Sequence, residues 1–301
     1  MKDIELRDLK SIDDYRAVVE MEREIWGVGY DDVVPVPIFV ITVKRGGVLI
    51  GAFDTRNVMV GFVYSLPGFK SGRPMQWSHM LGVLDSHRSS GLGRALKLAQ
   101  RDRVLAQGLD LIEWTYDPLQ ALNAHLNFRR LGVVVDEYAV NAYGESTSKL
   151  HGSTPTDRFV ASWYVRSPHV ERRLAAAGDV VLRASAIADA PIVNRTAREG
   201  ARLVCLDAGV VPEGAPRFLV EIPVGFTEML HDVPDLAHRW RLAVREIFLA
   251  AFAKGYRVVD FALDRGAGRG HYVVAKPSAG SGLTAQGSGE PERSKSEFLE
   301  P

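Results

Sequence analysis

The sequence predicts an α/β fold built on a mixed β-sheet and followed by a smaller α/β region. Three observations support this prediction. Strand-like and helix-like segments alternate over residues 3–166 in the order β-α-α-β-β-β-α-β-α-β-β. Two glycines, Gly91 and Gly93, stand where an apolar strand gives way to a helix. A second strand–helix–strand unit follows over residues 218–263.

The elements of the first part follow from periodicity and turn residues. An alternating strand and an amphipathic helix open the chain, a second helix follows Pro35–Pro37 and ends at Gly46–Gly47, and a hairpin surrounds Thr55–Asn57. Three turn formers predict a loop from Pro67 to Pro74. The predicted strands are Ile4–Leu9, Val48–Phe53, Val58–Leu66, Trp77–Leu84, Leu109–Tyr116, Val133–Val140 and Phe159–Val165, and the predicted helices are Asp13–Trp26, Phe39–Lys44, one that begins after Gly91, and Leu119–Leu131.

The helix after Gly91 is amphipathic. Its apolar residues recur with the spacing of one helical face, so we expect that face to pack on the sheet. Its basic residues are predicted on another, polar side. The apolar stripe comprises Leu92, Ala95, Leu96 and Ala99, and the basic side comprises Arg94, Lys97 and Arg101.

The second part of the sequence is organised around a long helix. Pro234 predicts its start and Gly255 its end, with an apolar face between them. Strands at Phe218–Ile222 and Tyr256–Leu263 flank it. Two interpretations stay open: a degenerate half-copy of the first fold that packs against it, or an unrelated α/β appendage.

Length and composition suggest where the chain divides. A chain of 301 residues suits two domains at roughly 150 residues each. We divide it into a first domain at 1–166, a C-terminal α/β domain at 167–275 and a tail at 276–301. Gly, Ser, Glu and Pro dominate the tail, which predicts disorder.

Charge and cysteine content exclude several classes of protein. The 37 basic and 37 acidic residues cancel, which argues against a nucleic-acid partner and against an anionic membrane surface. Cys205, the only cysteine, fits a reducing compartment, and its apolar neighbours predict a small core residue. The sequence shows no signal-peptide core and no apolar run of roughly 18 residues, so we predict a cytoplasmic protein without a membrane partner. A homodimer stays open.

The turn between Leu84 and the following helix favours an anion. The first amides of a helix have no internal acceptor, and the helix dipole places partial positive charge at that end. Gly91 and Gly93 allow a ligand to approach the bare backbone, and Arg88 and Arg94 add charge at either end of the turn. A phosphate or diphosphate is therefore the expected ligand.

Three motif families place glycines at such a turn. The P-loop spacing is absent, and the third glycine of the dinucleotide-binding fingerprint would fall on Leu96. The segment Arg88–Gly93 resembles the Arg/Gln-x-x-Gly-x-Gly/Ala signature of the GCN5-related N-acetyltransferase (GNAT) superfamily. The stretch Asp117–Gly132 is similar to that of predicted bacterial members with a long C-terminal extension. The resemblance implies a GNAT fold for the mixed sheet and acetyl-CoA as the ligand of the turn.

The resemblance also implies how acetyl-CoA would lie. Two parallel central strands, Trp77–Leu84 and Leu109–Tyr116, would splay apart, and the amides of the pantetheine arm would pair with their exposed backbone. A backbone amide of the first strand would polarise the thioester carbonyl. Asn123 would bond the arm or fix the splay, although a buried polar contact with Asn127 on the same helical face is the alternative. The implied cofactor-binding residues are Leu81, Val83, Arg88, Ser89, Ser90, Gly91, Leu92, Gly93, Arg94 and Asn123, and no metal is expected.

Two catalytic positions of the family carry other residues in this chain. Met80 stands where the family has a glutamate base, and Phe128 stands where it has a tyrosine acid, so neither side chain can exchange a proton. His79 has an ordinary pKa near neutrality, but strand alternation predicts that it faces away from Met80, and a core histidine is the alternative. The candidate catalytic residues are His79, Glu113 and Tyr143, with Tyr138 as a second candidate acid.

Two functions of different classes are compatible with these residues. The leading prediction is an enzyme, an acyl-CoA-dependent N-acyltransferase that transfers an acetyl group to an unknown small-molecule or peptide amine. The alternative is a non-catalytic acyl-CoA-binding or sensory module, which the replaced glutamate and tyrosine favour. A dinucleotide-binding enzyme ranks third.

Overall fold

The computed structural model describes residues 3–27, 32–144, 154–176, 182, 187 and 189–277. Its strands are β1 Glu5–Asp8, β2 Val48–Phe53, β3 Met59–Lys70, β4 Arg73–Val83, β5 Leu111–Tyr116, β6 Val134–Ala139, β7 Arg158–Tyr164, β8 Arg195–Glu199, β9 Arg202–Asp207, β10 Arg217–Pro223, β11 Arg257–Asp264 and β12 Arg269–Ala275. Its helices are α1 Ile12–Trp26, α2 Val36–Lys44, α3 Leu92–Ala106, α4 Ala121–Ala124, α5 Pro168–Ala175, α6 Phe226–Asp232 and α7 Pro234–Ala253, with a 3₁₀ turn at Asp85–His87 and a π-helical segment at His125–Leu131. The predicted tail from residue 278 onward lies outside the described residues.

Ten of these strands form one mixed sheet in the order β1-β2-β3-β4-β5-β7-β6-β11-β12-β10, while β8 and β9 pair with each other. Neighbouring strands of the sheet are antiparallel except β4 and β5, which are parallel. The predicted mixed α/β architecture is confirmed. The predicted order of strands and helices is also observed as far as β7.

Helices cover both faces of the sheet. On one face α3 and α7 contribute Leu96 and Trp240 to the largest core cluster, together with Ile112 of β5. On the other face Phe39 of α2 belongs to a second cluster with Met80 of β4. The two faces are therefore packed by different helices, and a side chain of β4 or β5 meets one set or the other.

Local sequence explains where the helices begin. The Ser11 hydroxyl accepts the Asp14 amide at 3.0 Å, which caps α1 in the Ser-x-x-acid arrangement. Pro37 and Pro234 lie in the first turns of α2 and α7, where a missing N–H costs nothing. In contrast, α3 follows Gly91 without any side-chain cap. Its first amides are left for another partner.

The loop predicted from Pro67 to Pro74 is wrong, because β3 and β4 continue through it as a long hairpin. Lys70 pairs with Arg73 across a two-residue turn in which Ser71 and Gly72 have φ of 48° and 74°, as a type I′ turn requires. This part of the hairpin extends past β2 and β5, so its outer edges are unpaired. Proline is tolerated there because no ladder hydrogen bond is lost.

The helix predicted at Leu119–Leu131 begins later and changes form. The Asp117 carboxylate accepts the Leu119 amide at 2.8 Å in a turn, and α4 starts only at Ala121. After one turn the helix widens into the π-helical segment. It ends at Gly132, whose φ of 78° is that of the predicted C-terminal glycine.

The C-terminal region extends the same sheet, since β11 pairs with β6. The predicted strand–helix–strand unit is observed as β10, α7 and β11, with α6 and β12 in addition. Two arginines of α7 bind carboxylates of the first part. Arg241 donates to both oxygens of Asp117 at 2.6 and 2.7 Å, and Arg245 donates to both oxygens of Asp157 at 2.8 Å. These contacts hold the end of β5 and the start of β7 against α7.

Glu22 of α1 is a buried acid without a cationic partner in the described chain. It is 0% exposed, one carboxylate oxygen accepts the Val34 amide at 2.8 Å, and the other has no hydrogen-bond partner. Burial raises the pKa of Glu22 to about 8. The side chain is therefore mostly protonated at neutral pH.

We predict that Glu22→Gln stabilises the protein in a pH-dependent way. The folded-state pKa of about 8 lies above the ordinary value of 4.5, so wild-type stability is lost as pH rises through this interval. The glutamine cannot ionise, and its advantage in free energy of unfolding should grow by roughly 2–4 kcal/mol between pH 5 and pH 8.5. Urea denaturation at both pH values measures this change. Glu24→Gln, on the exposed side of α1, is the control, and a pH-independent advantage for Glu22→Gln would contradict the prediction.

A second prediction concerns the ion pair between Arg241 and Asp117. Their side chains are 2% and 11% exposed. Burial disfavours the Asp117 charge, but Arg241 outweighs it and holds the pKa of that carboxyl below its usual range. Arg241→Met leaves this charge unpaired and should lower the free energy of unfolding by about 3–5 kcal/mol. Arg16→Met, which breaks an exposed pair with Asp13, should cost no more than about 1 kcal/mol in the same denaturation experiment.

Candidate functional site

The turn that joins β4 to α3 has an unusual backbone. Ser89 and Gly91 have φ of 62° and 88°, both in the left-handed region. The Ser90 hydroxyl donates to the His87 carbonyl at 2.6 Å and braces the turn from within. Backbone that alternates between right- and left-handed conformations forms concave groups of N–H donors that bind anions.

Most amides of this turn have no acceptor in the described chain. The first bond of α3 runs from the Ala95 amide to the Gly91 carbonyl at 3.1 Å, and the Leu92 amide makes only a 3.4 Å contact with the Ser90 hydroxyl. A Cβ added at Gly91 would meet no atom within 4 Å, so the turn is open to a ligand. The five free amides are those of Ser89, Ser90, Gly91, Gly93 and Arg94.

The two predicted arginines differ in their surroundings. Arg88 pairs with Asp85 at 2.9 Å, and its side chain is 48% exposed. Arg94 donates to the Leu174 carbonyl of α5 at 3.4 Å, while its Nε is buried without a partner. Desolvation and the neighbouring Arg130 lower the pKa of Arg94. A bound anion would give the Nε of Arg94 a hydrogen-bond partner and would offset the desolvation and repulsion of its charge.

A gap between β4 and β5 lies beside this turn. The two strands pair only at Gln76–Ile112 and Trp77–Glu113. Beyond these positions β4 runs on to Val83 in register with β3 alone, as the predicted splay requires. The predicted residues Leu81 and Val83 lie on this part of β4, which is not paired with β5, and the turn with the free amides follows directly after it.

His79 is placed by a β-bulge that the sequence did not reveal. Tyr64 pairs with Met80 and Ser65 with Ser78, so His79 is the extra residue of β4. The predicted orientation away from Met80 is wrong, because the bulge breaks the alternation. The His79 ring packs edge-on against Tyr64 at 6.1 Å, in the cluster that contains Met80. His79 is also exposed, so a core histidine is excluded.

The surroundings of the His79 ring favour its neutral form. Protein atoms desolvate the imidazolium and lower the pKa of His79 below its usual value. No hydrogen bond to its side chain is observed among the residues described. A neutral ring with free nitrogens can accept a proton at neutral pH.

Glu113 is buried, and its Oε1 atom is bound by two side chains. It is 4% exposed, forms an ion pair with Lys70 and accepts the Ser162 hydroxyl at 2.6 Å. Desolvation disfavours the Lys70 charge, but Glu113 outweighs it and raises the pKa of Lys70. Glu113 pairs with Trp77 at the last position where β4 and β5 are hydrogen-bonded. The ion pair therefore holds Lys70 beside the gap.

The two candidate tyrosines have different environments. Tyr138 is buried and donates to the Asp157 carboxylate at 2.8 Å, so its proton is committed there. Tyr143 is 48% exposed, and its hydroxyl lies 2.6 Å from the Thr115 hydroxyl of β5. Of the two, only Tyr143 is accessible to a substrate.

The three candidate catalytic residues share one face of the sheet. Trp77 pairs with Glu113, so these side chains lie on the same face, and Thr115 follows Glu113 at the spacing of that face. The Thr115 hydroxyl is hydrogen-bonded to the Tyr143 hydroxyl. His79 lies on the side of the sheet that α1 and α2 cover, with Met80. The face opposite α3 therefore combines the imidazole of His79, the phenol hydroxyl of Tyr143 and the ion pair between Lys70 and Glu113.

Two residues of this region escaped the sequence analysis. Lys97, predicted on the polar side of α3, is 3% exposed and points at the gap, where its Nζ lies 2.8 Å from the Ser78 hydroxyl. Glu137 of β6 lies in one cross-strand row with Val160 and Thr115, and burial raises the pKa of its carboxyl. Lys97 was concealed by its place on the polar side of an amphipathic helix, and Glu137 by the β-bulge at Asp136 that precedes it.

The alternative of a buried polar contact between Asn123 and Asn127 is wrong, because Asn123 is exposed. The helix changes from α to π between them, and their side chains differ in burial. Asn123 is exposed, whereas Asn127 is 4% exposed. Asn123 alone could reach a ligand.

Other reactive groups are sparse. Within the residues described, no three His, Cys, Asp or Glu side chains form a metal-binding group, and no helix is long and apolar enough to cross a membrane. Cys205 is half-buried on β9, and burial raises the pKa of its thiol. It packs against the core, as predicted. Phe128, which stands where the resemblance implies an acid, is 0% exposed.

Comparison with known proteins adds little to this geometry. No family model and no curated protein matches the chain. Among solved structures it is similar to the NatC complex bound to Gag peptide and CoA (12% identity, 54% of this chain and 98% of that chain, TM-score 0.44). It is also similar to the ribosomal-protein-S18-alanine N-acetyltransferase from Escherichia coli (14%, 60% and 99%, 0.43) and to an acetyltransferase of the GNAT family from Streptococcus pneumoniae (12%, 53% and 98%, 0.43). With TM-scores below 0.5, these likenesses carry no conclusion about the activity of this chain.

Proposed function

We propose that this protein is an acyl-CoA-dependent N-acyltransferase, with acetyl-CoA as the donor and a small-molecule or peptide amine as the acceptor. One observation carries the proposal. Five free amides of the turn before α3 follow directly on the part of β4 that has separated from β5. A diphosphate held by the turn would place its pantetheine arm at the mouth of the gap.

The donor would use each part of this geometry. The diphosphate accepts hydrogen bonds from the amides of Ser89–Arg94, with Arg88 and Arg94 adding charge. The pantetheine arm, which is rich in amides, supplies partners to the unpaired backbone of β4 at Leu81 and Val83. Asn123, exposed on α4, is available to the polar atoms of the arm. The thioester then lies deeper in the gap, towards the face that carries His79.

The acceptor amine would meet the thioester from the face opposite α3. His79 takes a proton from the ammonium, and the free amine attacks the thioester carbonyl. The carbon–sulfur bond breaks, the nitrogen gives up its second proton, and the departing thiolate takes up one proton through Tyr143 or water, which relay it. Glu113 holds Lys70 in position on this face, where its Oε1 accepts from Lys70 and from the Ser162 hydroxyl.

The alternative function is a non-catalytic acyl-CoA-binding module. The buried Phe128 and the engagement of Tyr138 with Asp157 favour it, since both remove a proton donor. It uses the same turn and gap for binding. The two functions differ only in whether an amine consumes the acyl group.

Thiol release separates the two functions. Purified protein incubated with acetyl-CoA and a panel of amines should release free CoA with at least one amine, and mass spectrometry should find the acetylated amine. Binding of CoA without release for any amine would favour the binding module. Absence of CoA binding at millimolar concentration would contradict both functions.

A matched pair of glycine variants tests the turn. Gly91 and Gly108 flank α3, both have positive φ, and a Cβ at either meets no atom within 4 Å. Alanine at each position should cost a similar roughly 1 kcal/mol of stability. Gly91→Ala alone places a methyl group where the diphosphate approaches, so we expect at least a tenfold loss of CoA affinity in calorimetric titration. Equal CoA affinities for the two variants would show that the turn is not the diphosphate site.

A further inference from the structure

One lysine fills the inner end of the gap between β4 and β5. Lys97 comes from the second turn of α3, and its Nζ lies 2.8 Å from Ser78 Oγ and 3.7 Å from the centroid of the Trp114 ring. Ser78 and Trp114 are the first residues of β4 and β5 beyond the last paired positions. The ammonium group therefore bridges the two strands where their ladder ends.

This position is costly for a lysine. The residue is 3% exposed, and desolvation, with no compensating charge, lowers the pKa of Lys97 well below its ordinary value. Its donors are directed at Ser78 Oγ, at Gln100 Oε1 at 3.3 Å and at the face of Trp114. An apolar side chain of similar length would fill the space without the cost of burying an ammonium. Stability alone does not account for a lysine here.

The contacts of Lys97 connect β4 and β5 at a level where, in the part of the chain that the structure describes, the two strands no longer pair. Gln100 donates to Ser78 Oγ at 3.0 Å, but Gln100 and Lys97 both belong to α3. Only the lysine also contacts Trp114 of β5. Without the ammonium, Ser78 and Gln100 keep each other as partners, and the tie between β4 and β5 is lost.

We propose that Lys97 is a positioning residue for the acyl donor, which sets the width of the gap by bridging Ser78 and Trp114. This inference rests on the proposed function, because it assigns the gap to the pantetheine arm. Lys97 touches neither the diphosphate turn nor the acceptor face. Its loss should therefore weaken binding of the arm and leave binding of the diphosphate unchanged.

Two ligands distinguish these effects. CoA would occupy both the turn and the gap, whereas ADP, which carries the diphosphate without the arm, would occupy the turn alone. In calorimetric titration, Lys97→Met should lower CoA affinity at least tenfold and keep ADP affinity within twofold of wild type. Its melting temperature should be unchanged or higher, because a buried amino group that has no ion-pair partner among the described residues has been removed. Ser78→Ala removes the same bridge from the β4 side and should act in the same direction.

Arg103→Met is the control, since Arg103 lies on the exposed side of α3 and pairs with Asp8. It should change neither affinity. Equal CoA affinities for wild type and both gap variants would overturn the role of Lys97 while leaving the proposed function intact. Parallel losses of CoA and ADP would also overturn it, because they indicate damage to α3 as a whole. Wild-type protein that binds ADP but not CoA would overturn the proposed function and this inference together.

Discussion

The structure depends on a break in the hydrogen bonding between two parallel strands. β4 and β5 share two paired positions, and beyond them the backbone groups of both strands need other partners, since buried unpaired backbone is costly. The candidate groups are arranged around this break. The amides of the α3 turn lie at its open end, Lys97 lies at its closed end, and His79 stands on the face opposite α3.

The far end of β5 is fixed by a region that is remote in sequence. Asp117 closes β5, and the Tyr272 hydroxyl of β12 donates to the neighbouring Pro118 carbonyl at 2.6 Å. Arg241 and Arg245, one helical turn apart, bind Asp117 and Asp157 with two hydrogen bonds each. Buried pairs of this kind add little net stability, but they fix geometry because neither partner can move away unpaired. The C-terminal region thus helps to hold one wall of the gap.

Periodicity and turn residues were sufficient to predict the order of elements through β7. The apolar spacing of each element, and the glycine that ends it, lie within one short segment of the sequence. The turn before α3 and its free amides could also be predicted, since the glycines that shape it belong to one segment. The bulge at His79 was not, because it depends on how β3 and β4 match across the sheet. Lys97 was assigned to a polar side because no local pattern marks a buried ammonium. The hairpin at Pro67–Pro74 was missed because its prolines are acceptable only where neighbouring strands are absent.

The pairing of β11 with β6 has a consequence for the chain as a whole. A polypeptide shortened after residue 166 would leave β6 as a naked strand edge, and such edges recruit other chains into aggregates. The carboxylates of Asp117 and Asp157 would also lose their guanidinium partners, Arg241 and Arg245. Both penalties fall on the half that carries the gap. The two regions should consequently melt in a single cooperative transition, as parts of one folding unit.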